Sequence, residues 1–179
     1  MNVLVVVDMQ KDFIDGALGT QEAQSIVDNV VNRIKNSQNE LILFTQDTHG
    51  ADYLNTPEGQ KLPVPHCIKN TPGWEINPQV LQAWESHPNT IKASNHFFEK
   101  PVFGSVDLVA FLQCQGPKID GIEILGVCTD ICVISNAIMI KNVIPSIKVS
   151  VNQSCCAGVT PQSHAEAINT MVMCQIDVI

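Results

Sequence analysis

Three side chains of different chemistry stand where strands of this chain are predicted to end. Asp8 closes the apolar run in "VVVDMQKDF", Lys100 follows a strand in "NHFFEKPVFGS", and Cys132 follows another in "GVCTDICV". Taken singly, each has an ordinary structural role, since an aspartate often caps a turn and a cysteine in an apolar helix is usually buried. Together, a carboxylate, an ammonium and a thiol supply a base, a stabilising charge and a nucleophile. They form the candidate catalytic set.

The position of Cys132 in the sequence favours a role for its thiol as the nucleophile. Thr129 or Asp130 can cap a helix that starts just before it, which puts Cys132 in the first helical turn. Free backbone N–H groups and the helix dipole favour an anion there, so the position predicts a lowered thiol pKa. An ammonium from Lys100 would lower that pKa further, and Asp8 could accept the proton. The expected outcome is an activated cysteine.

Two other uses of the "GVCTDICV" cysteines are weaker. A thioredoxin-like redox pair has two residues between its cysteines, whereas Cys128 and Cys132 have three. A structural zinc site of the zinc-finger kind needs a second short-spaced pair, but Cys155 and Cys156 are adjacent. The stretch therefore points away from redox and structural zinc chemistry.

A second group of polar residues has the chemistry of a metal site. Asp47 and His49 are two positions apart in "TQDTH". In extended backbone both side chains therefore lie on the same face. His66 in "LPVPHC" could complete a set of one carboxylate and two imidazoles that leaves open positions on the metal. Zinc suits these ligands, and manganese or iron is also compatible. The alternative is that both histidines are surface loop residues.

The elements that must position these groups alternate between strands and helices. This order predicts a three-layer α/β/α, doubly wound, mostly parallel sheet with right-handed crossovers. Ligands bind such sheets at the carboxyl ends of the strands, where the candidate residues lie. A polar segment, 47–89, has little periodicity, and such a long segment is expected to be either functional or disordered. The predicted strands are 2–7, 41–46, 90–95, 121–127, 146–151 and a short one at 175–179, and the predicted helices are 21–36, 105–114, 131–142 and 162–173.

Composition narrows the class of protein. The 179 residues, 45% of them apolar, are enough for a single domain, 1–179. Ten Lys and Arg against eighteen Asp and Glu leave a charge of −8, which argues against a nucleic-acid partner. The apolar runs are shorter than the roughly 20 residues of a membrane span, and no basic residue precedes the first run as in an export signal. Seven cysteines, an odd number, suggest reduced thiols and a cytoplasmic location.

Six motifs along nearly the whole chain resemble one family. "VVVDMQKDF", "TQDTH", "LPVPHC", "KPVFGS", "GVCTDICV" and "SCCAGVTPQSHAEAINTM" occur in the order found in isochorismatase-like cysteine hydrolases, and within them in the nicotinamidase branch. The resemblance implies a catalytic triad of Asp8, Lys100 and Cys132. It also implies a cis peptide bond between Val127 and Cys128, and an oxyanion hole formed by the backbone N–H groups of Cys128 and Cys132.

The same resemblance implies roles around the substrate. In nicotinamidases the residues that match Asp47, His49 and His66 hold a metal that receives the pyridine nitrogen. The chain departs from the family in having Thr48 where an aromatic residue is common, and in lacking a further histidine ligand, which Glu58 could replace. Phe13 matches a ring-packing position. Trp74 in "TPGWEI" lies in the segment expected to form the pocket.

The resulting functional prediction is a cysteine-dependent hydrolase of a small linear amide, and nicotinamide is the preferred candidate substrate. Two alternatives stay open: a related amidase for carbamoyl or ureido compounds, and a small-molecule-binding member without catalysis. Isochorismate cleavage is disfavoured, because family members that perform it do not use a cysteine nucleophile. Relatives usually self-associate, so a homo-oligomer is expected.

Overall fold

The described residues, 1–88 and 90–179, form one parallel sheet with helices on both faces. Its strands pair in parallel in the order third, second, first, fourth, fifth and sixth along the chain. This confirms the predicted α/β architecture. The computed structural model gives the strands as β1 (Asn2–Val7), β2 (Leu41–Asp47), β3 (Phe97–Lys100), β4 (Gly121–Val127), β5 (Lys148–Ala157) and β6 (Asp177–Val178).

Helices connect successive strands and complete the two outer layers. They are α1 (Lys11–Ile14), α2 (Gln21–Ser25), α3 (Val27–Lys35), α4 (Pro57–Lys61), α5 (Pro78–Glu85), α6 (Val106–Gln115), α7 (Ile134–Val143) and α8 (Pro161–Met173). Helix α3 packs beside α5, whereas α7 packs beside α6 and α8. Right-handed crossovers place these two groups on opposite faces, because the strand order reverses after β3. In the described residues no helix has the length and apolar character needed to cross a membrane.

The central strands are buried because both of their faces are covered. In β1 every residue after Asn2 is buried, and all seven residues of β2 are buried. Such strands lack the apolar and polar alternation of a half-exposed sheet. The continuous apolar run "VLVVV" therefore predicted the position of β1 correctly.

The strand order reverses between β1 and β4, and this point forms the crevice expected in a doubly wound sheet. Gly126, near the end of β4, has a φ of 121°. A Cβ atom at this position would lie 2.1 Å from the carbonyl oxygen of Val7. The backbones of β1 and β4 therefore approach at a distance that only glycine permits.

The predicted third strand, 90–95, is wrong. The chain makes one isolated bridge, between Leu41 and Ile91, and then loops out before pairing with β2 again as β3. The imidazole of His96 fills the gap, because its Nδ1–H donates to the carbonyl oxygen of Ile42 at 2.7 Å and its Nε2 accepts from the N–H of Ala93 at 3.1 Å. A side chain thus replaces the strand ladder in this region.

Smaller differences concern helix limits. The predicted helix 21–36 is two helices that meet at Ile26, and their buried residues are Ala23, Val27, Val30 and Ile34. The segment 47–89, whose last residue Asn89 lies outside the described residues, contains α4 and α5. Helix α5 begins at Pro78 because the side chain of Asn77 accepts from two backbone N–H groups. The strand predicted at 146–151 begins later and runs on to Ala157.

Candidate active site

Lys100 stands between the other two residues of the catalytic set. Its Nζ lies 2.7 Å from Asp8 Oδ2 and 3.4 Å from Cys132 Sγ, and all three side chains are buried. Asp8 lies one residue beyond β1, Lys100 is the last residue of β3, and Cys132 lies in the turn after β4. The structure therefore brings together three residues that are remote in sequence.

Asp8 is held by a neighbouring strand. Its Oδ1 accepts a hydrogen bond of 2.6 Å from Thr45 Oγ1, and its backbone has a φ of 48°. Its Oδ2 forms a buried ion pair with the Lys100 ammonium. Burial raises the pKa of Asp8, and the charge of Lys100 opposes but does not cancel this effect.

The predicted lowering of the Cys132 thiol pKa is wrong for the resting site. Burial is the largest effect and raises this pKa well above its usual value, and Asp8 raises it further, while Lys100 lowers it. Burial also lowers the pKa of Lys100, but the carboxylates of Asp8 and Asp47 act against it, and the net shift is upward. Cys132 thus rests as a neutral thiol beside a charged ammonium.

The turn that carries Cys132 also differs from the expected capped helix. Residues Thr129–Val133 form a π-helical turn whose N-cap is Cys128, without a side-chain cap. Thr129 Oγ1 forms a hydrogen bond of 2.8 Å with His164 Nδ1 of α8. The Asp130 carboxylate accepts from the N–H of Val159. Both expected caps therefore tie the turn to other segments, and such π turns often occur at functional sites.

A cis peptide bond joins Val127 and Cys128, as the sequence resemblance predicted. Cys128 is partly exposed, and burial raises its thiol pKa to about 12. Its side chain is therefore a neutral thiol at the edge of the site. The oxyanion role of the Cys128 and Cys132 backbone N–H groups stays a prediction.

The predicted metal ligands lie together beside this catalytic set. Asp47, His49 and His66 are buried, and one ligand atom from each lies within 4.8 Å of the others. Asp47 Oδ2 is 2.9 Å from His49 Nε2 and 3.4 Å from His66 Nε2. The Nδ1–H of His66 donates to the carbonyl oxygen of Val64 at 2.9 Å, which leaves Nε2 as the coordinating atom. The donor set fits a divalent metal such as zinc.

Electrostatics of the cluster agree with this fit. Burial raises the pKa of Asp47, but His49, His66 and Lys100 outweigh it and hold that pKa well below its usual range. Burial lowers the pKa of His66, but the carboxylate of Asp47 outweighs it. Glu58 Oε1 lies 3.7 Å from His49 Nε2 and 3.8 Å from His66 Nε2, so it is placed as an additional carboxylate at the edge of the cluster.

Two residues of the first loop hold the ligands in place. Gln10 is fully buried, and its side-chain amide donates to the carbonyl oxygen of Asp47 at 2.8 Å and accepts from the Asp47 N–H at 2.7 Å. The Asp12 carboxylate accepts from the N–H of Cys67, the residue after His66. These side chains position the backbone of Asp47 and of the segment that carries His66.

Asn136 is a site residue that sequence analysis missed. It is fully buried in α7 and donates to the carbonyl oxygens of Cys132 at 2.8 Å and Phe103 at 3.2 Å, while its Oδ1 accepts from the N–H of Ser105 at 2.9 Å. These bonds join the loop after Lys100 to the turn that carries Cys132. The signal in the sequence is an asparagine directly before the apolar stretch "AIMI", inside the predicted helix 131–142.

An apolar cavity of about 240 Å³ opens over Cys132. The predicted ring-packing residue Phe13 lines it, and its ring lies 5.5 Å from that of His66. Trp74 does not line it, because its indole N–H donates to Thr48 Oγ1 at 2.8 Å instead. Apolar lining residues not predicted from the sequence are Leu18, Leu62, Phe103, Ile131 and Val159.

Comparison with known proteins places this geometry in context. Residues 2–179 match the model of the isochorismatase domain family. A nicotinamidase/pyrazinamidase of Mycobacterium tuberculosis is 26% identical over 74% of this chain and 75% of its own, and a nicotinamidase of Schizosaccharomyces pombe is 26% identical over 98% and 91%. The crystal structure of a pyrazinamidase/nicotinamidase from Streptococcus mutans superposes with a TM-score of 0.82 at 25% identity, over 100% of both chains.

Proposed function

The chain belongs to the isochorismatase domain family, and from that premise we propose that it is a cysteine-dependent amidohydrolase that converts nicotinamide to nicotinate and ammonia. The observation that carries the proposal is the contact of the Lys100 ammonium with both Asp8 and Cys132 beneath an apolar cavity. The relatives named as nicotinamidases support the choice of substrate.

The first half of the reaction forms a thioester. Because the Cys132 thiol is neutral at rest, its proton must leave as sulfur attacks the amide carbonyl. Asp8 takes this proton, and its raised pKa suits a base of that kind. The backbone N–H groups of Cys128 and Cys132 stabilise the tetrahedral oxygen. Asp8 then gives the proton to the amide nitrogen, the C–N bond breaks and ammonia leaves.

The second half returns the enzyme to its starting state. Asp8 removes a proton from water while the water oxygen attacks the thioester carbonyl. The C–S bond breaks, nicotinic acid is released and ionises to nicotinate in water, and the proton on Asp8 returns to the sulfur of Cys132. Lys100 keeps its charge throughout and stabilises each anion that forms beside it.

Asp47, His49 and His66 would hold the metal, with Glu58 beside them. When bound, a divalent ion supplies a Lewis-acid position for the ring nitrogen of the substrate. Phe13 packs beside His66 and limits where the ring can lie. Self-association and a cytoplasmic location remain predictions from the sequence.

The main test is ammonia release from nicotinamide by the metal-loaded protein and by Cys132→Ala. We expect the wild-type protein to release ammonia and nicotinate, and Cys132→Ala to lose at least about 10³-fold in kcat, because the thioester cannot form. Equal release by both proteins would refute the mechanism. Release from carbamoyl or ureido compounds but not from nicotinamide would refute the substrate.

Metal content tests the ligand set separately. We expect purified His66→Ala to retain much less zinc than the wild type, measured by atomic emission. His87→Ala is the control, because His87 contacts the carbonyl oxygen of Lys35, away from the cluster. Equal zinc in wild type and His66→Ala would remove the proposed ligands.

A further inference from the structure

The cavity over Cys132 borders a larger groove. The groove has a volume of about 600 Å³ and shares Glu58, Leu62, Phe103 and Ile131 with the cavity. We propose that the enzyme also hydrolyses aromatic carboxamides that carry an apolar substituent on the ring, and that this groove binds the substituent. The inference rests on the proposed amidohydrolase function.

The volumes of the cavity and the groove suit two different parts of a substrate. The cavity, at about 240 Å³, is below the roughly 300–1,000 Å³ usual for ligand pockets, so it suits a single small ring. The groove alone, at about 600 Å³, lies within that range. A substrate of one unsubstituted ring would leave the larger compartment to water.

The groove wall is unusually apolar for a surface. Val102 is 53% exposed, Phe103 48% and Leu62 38%, and all three line the groove. Pro57 and Pro101 extend the same wall. Single exposed apolar residues are common, but a contiguous group beside a catalytic cavity indicates a surface that binds an apolar ligand.

The shared lining also fixes which part of a substrate faces the groove. Ile131 is next to the nucleophile, and Glu58 lies beside the proposed metal ligands His49 and His66. The groove therefore opens along the stretch between the nucleophile and the ligand cluster. A ring whose carboxamide meets Cys132 has one edge along this opening, and a substituent on that edge extends into the groove.

The occupant is thus part of the substrate itself. The four lining residues shared with the cavity favour an alkyl group attached to the ring over a separate molecule. Lys61 and Glu58 contribute one charge of each sign to the groove, so the lining offers no net charge that would select an ionic substituent. A short unbranched alkyl chain fits this chemistry best.

Kinetics on a set of substituted amides provide the first measurement. The metal-loaded enzyme is assayed with nicotinamide and with nicotinamides that carry a propyl group on each free ring carbon in turn. We expect at least one propyl compound to reach a kcat/KM within about tenfold of nicotinamide, because burying the propyl group offsets the restriction of its position. Turnover of nicotinamide with none of the propyl compounds would overturn the groove proposal alone.

A groove variant and a control test the location. Val102 lines the groove but not the cavity, so Val102→Ser is expected to lower kcat/KM for the accepted propyl compound by about tenfold relative to nicotinamide. Val106→Ala is the control, because Val106 is 67% exposed and lines neither compartment. An unchanged ratio in Val102→Ser would place the substituent elsewhere and overturn the proposal.

Binding provides a measurement that does not depend on turnover. Calorimetry with Cys132→Ala should show a Kd for the propyl compound that rises about tenfold when Val102→Ser is added. If the propyl compound binds and reacts while nicotinamide does neither, the groove proposal stands and the choice of nicotinamide fails. If Val102→Ser instead changes the oligomeric state, measured by light scattering, and leaves the Kd unchanged, the wall is a contact between copies and the proposal is wrong.

Discussion

Lys100 is the residue on which the charges of the site depend. Its ammonium contacts Asp8 at 2.7 Å, Asp47 at 3.3 Å and Cys132 at 3.4 Å. An unpaired buried charge is strongly unfavourable, and these neighbours keep the lysine protonated instead of neutral. The same ammonium links the catalytic set with the ligand cluster, since Asp47 belongs to the cluster.

The substitution Lys100→Gln should shift the pH dependence of the reaction. Asp8 can accept a proton only when it is ionised, and the charge of Lys100 lowers the pKa of Asp8 against the effect of burial. Without that charge the pKa rises further, so the acid limb of the kcat/KM profile should move to higher pH. At neutral pH we expect kcat to fall by roughly 10²–10⁴-fold.

The control for this profile is Lys69→Gln, which removes an exposed ion pair with Glu99 and should leave the acid limb in place. An acid limb at the wild-type position in Lys100→Gln would mean that a group other than Asp8 is the base.

The substitution Gln10→Ala should weaken metal binding without touching a ligand. Gln10 holds the backbone of Asp47 from both sides, and residues that orient ligands typically contribute about 10–100-fold in metal affinity. A chelator competition titration with zinc measures the change. Gln46→Ala is the matched control, because Gln46 donates to Trp74 instead of to Asp47. Equal zinc affinity in Gln10→Ala and wild type would contradict the positioning role.

The turn that carries Cys132, Thr129–Val133, is held by its neighbours more than by its own sequence. Helix α8 contacts it through His164, and α7 contacts it through Asn136. Burial lowers the pKa of His164, which favours the neutral imidazole in its bond with Thr129. The turn therefore depends on two helices that follow it in the chain.

The substitution Asn136→Ala should destabilise the protein and impair catalysis together. It leaves the N–H of Ser105 and the carbonyl oxygen of Cys132 without their partners, so we expect a loss of about 2–4 kcal/mol in the free energy of unfolding, measured in urea. Ser135→Ala, on the same helix, removes a bond to the carbonyl oxygen of Ile131 and should change stability by less than about 1 kcal/mol. Similar losses in the two variants would show that Asn136 has no special role.

The elements that could be predicted from the sequence are those whose own residues determine them. The buried runs of β1 and β4 and the positions of Asp8 and Cys132 follow from local pattern. Element β3 does not, because the ladder before it is completed by the side chain of His96. The caps expected from Thr129 and Asp130 fail for a related reason, since both side chains bond to segments remote in sequence.

Burial is the other property that the sequence did not provide. A cysteine in a first helical turn predicts a lowered pKa, but full burial reverses the sign for Cys132. Helix α5 is missed because it has only eight residues, of which Val80 and Ala83 are buried. In both cases the outcome depends on which side chains become buried when the chain folds.

For the whole molecule, the reversal of strand order determines where the site lies. Strands β1 and β4 are adjacent, and Asp8 and Cys128 follow their ends. The close approach at Gly126 is what permits this adjacency. The fold and the site therefore share one steric requirement.

The substitution Gly126→Ala should prevent stable folding. Its Cβ would meet the carbonyl oxygen of Val7 at 2.1 Å in a backbone conformation that alanine rarely adopts. We expect a loss above about 4 kcal/mol, a large part of the roughly 5–15 kcal/mol typical of a domain, measured as thermal unfolding by circular dichroism. Gly121→Ala, at the other end of β4, has its nearest neighbours at 3.7 Å and should fold normally. Matching melting temperatures for the two variants would contradict the steric account.

The position of Lys100 at the end of β3 has a consequence for how the enzyme fails. Strand β3 has four residues and lies at one edge of the sheet, so it has β2 as its neighbour on one side. Edges fray at a lower free-energy cost than central strands. We expect local opening of β3 to withdraw the Lys100 ammonium while the central strands stay folded. On warming, activity should therefore be lost at a lower temperature than the one at which the whole protein unfolds. The edge strand β3 then limits the temperature at which the enzyme works.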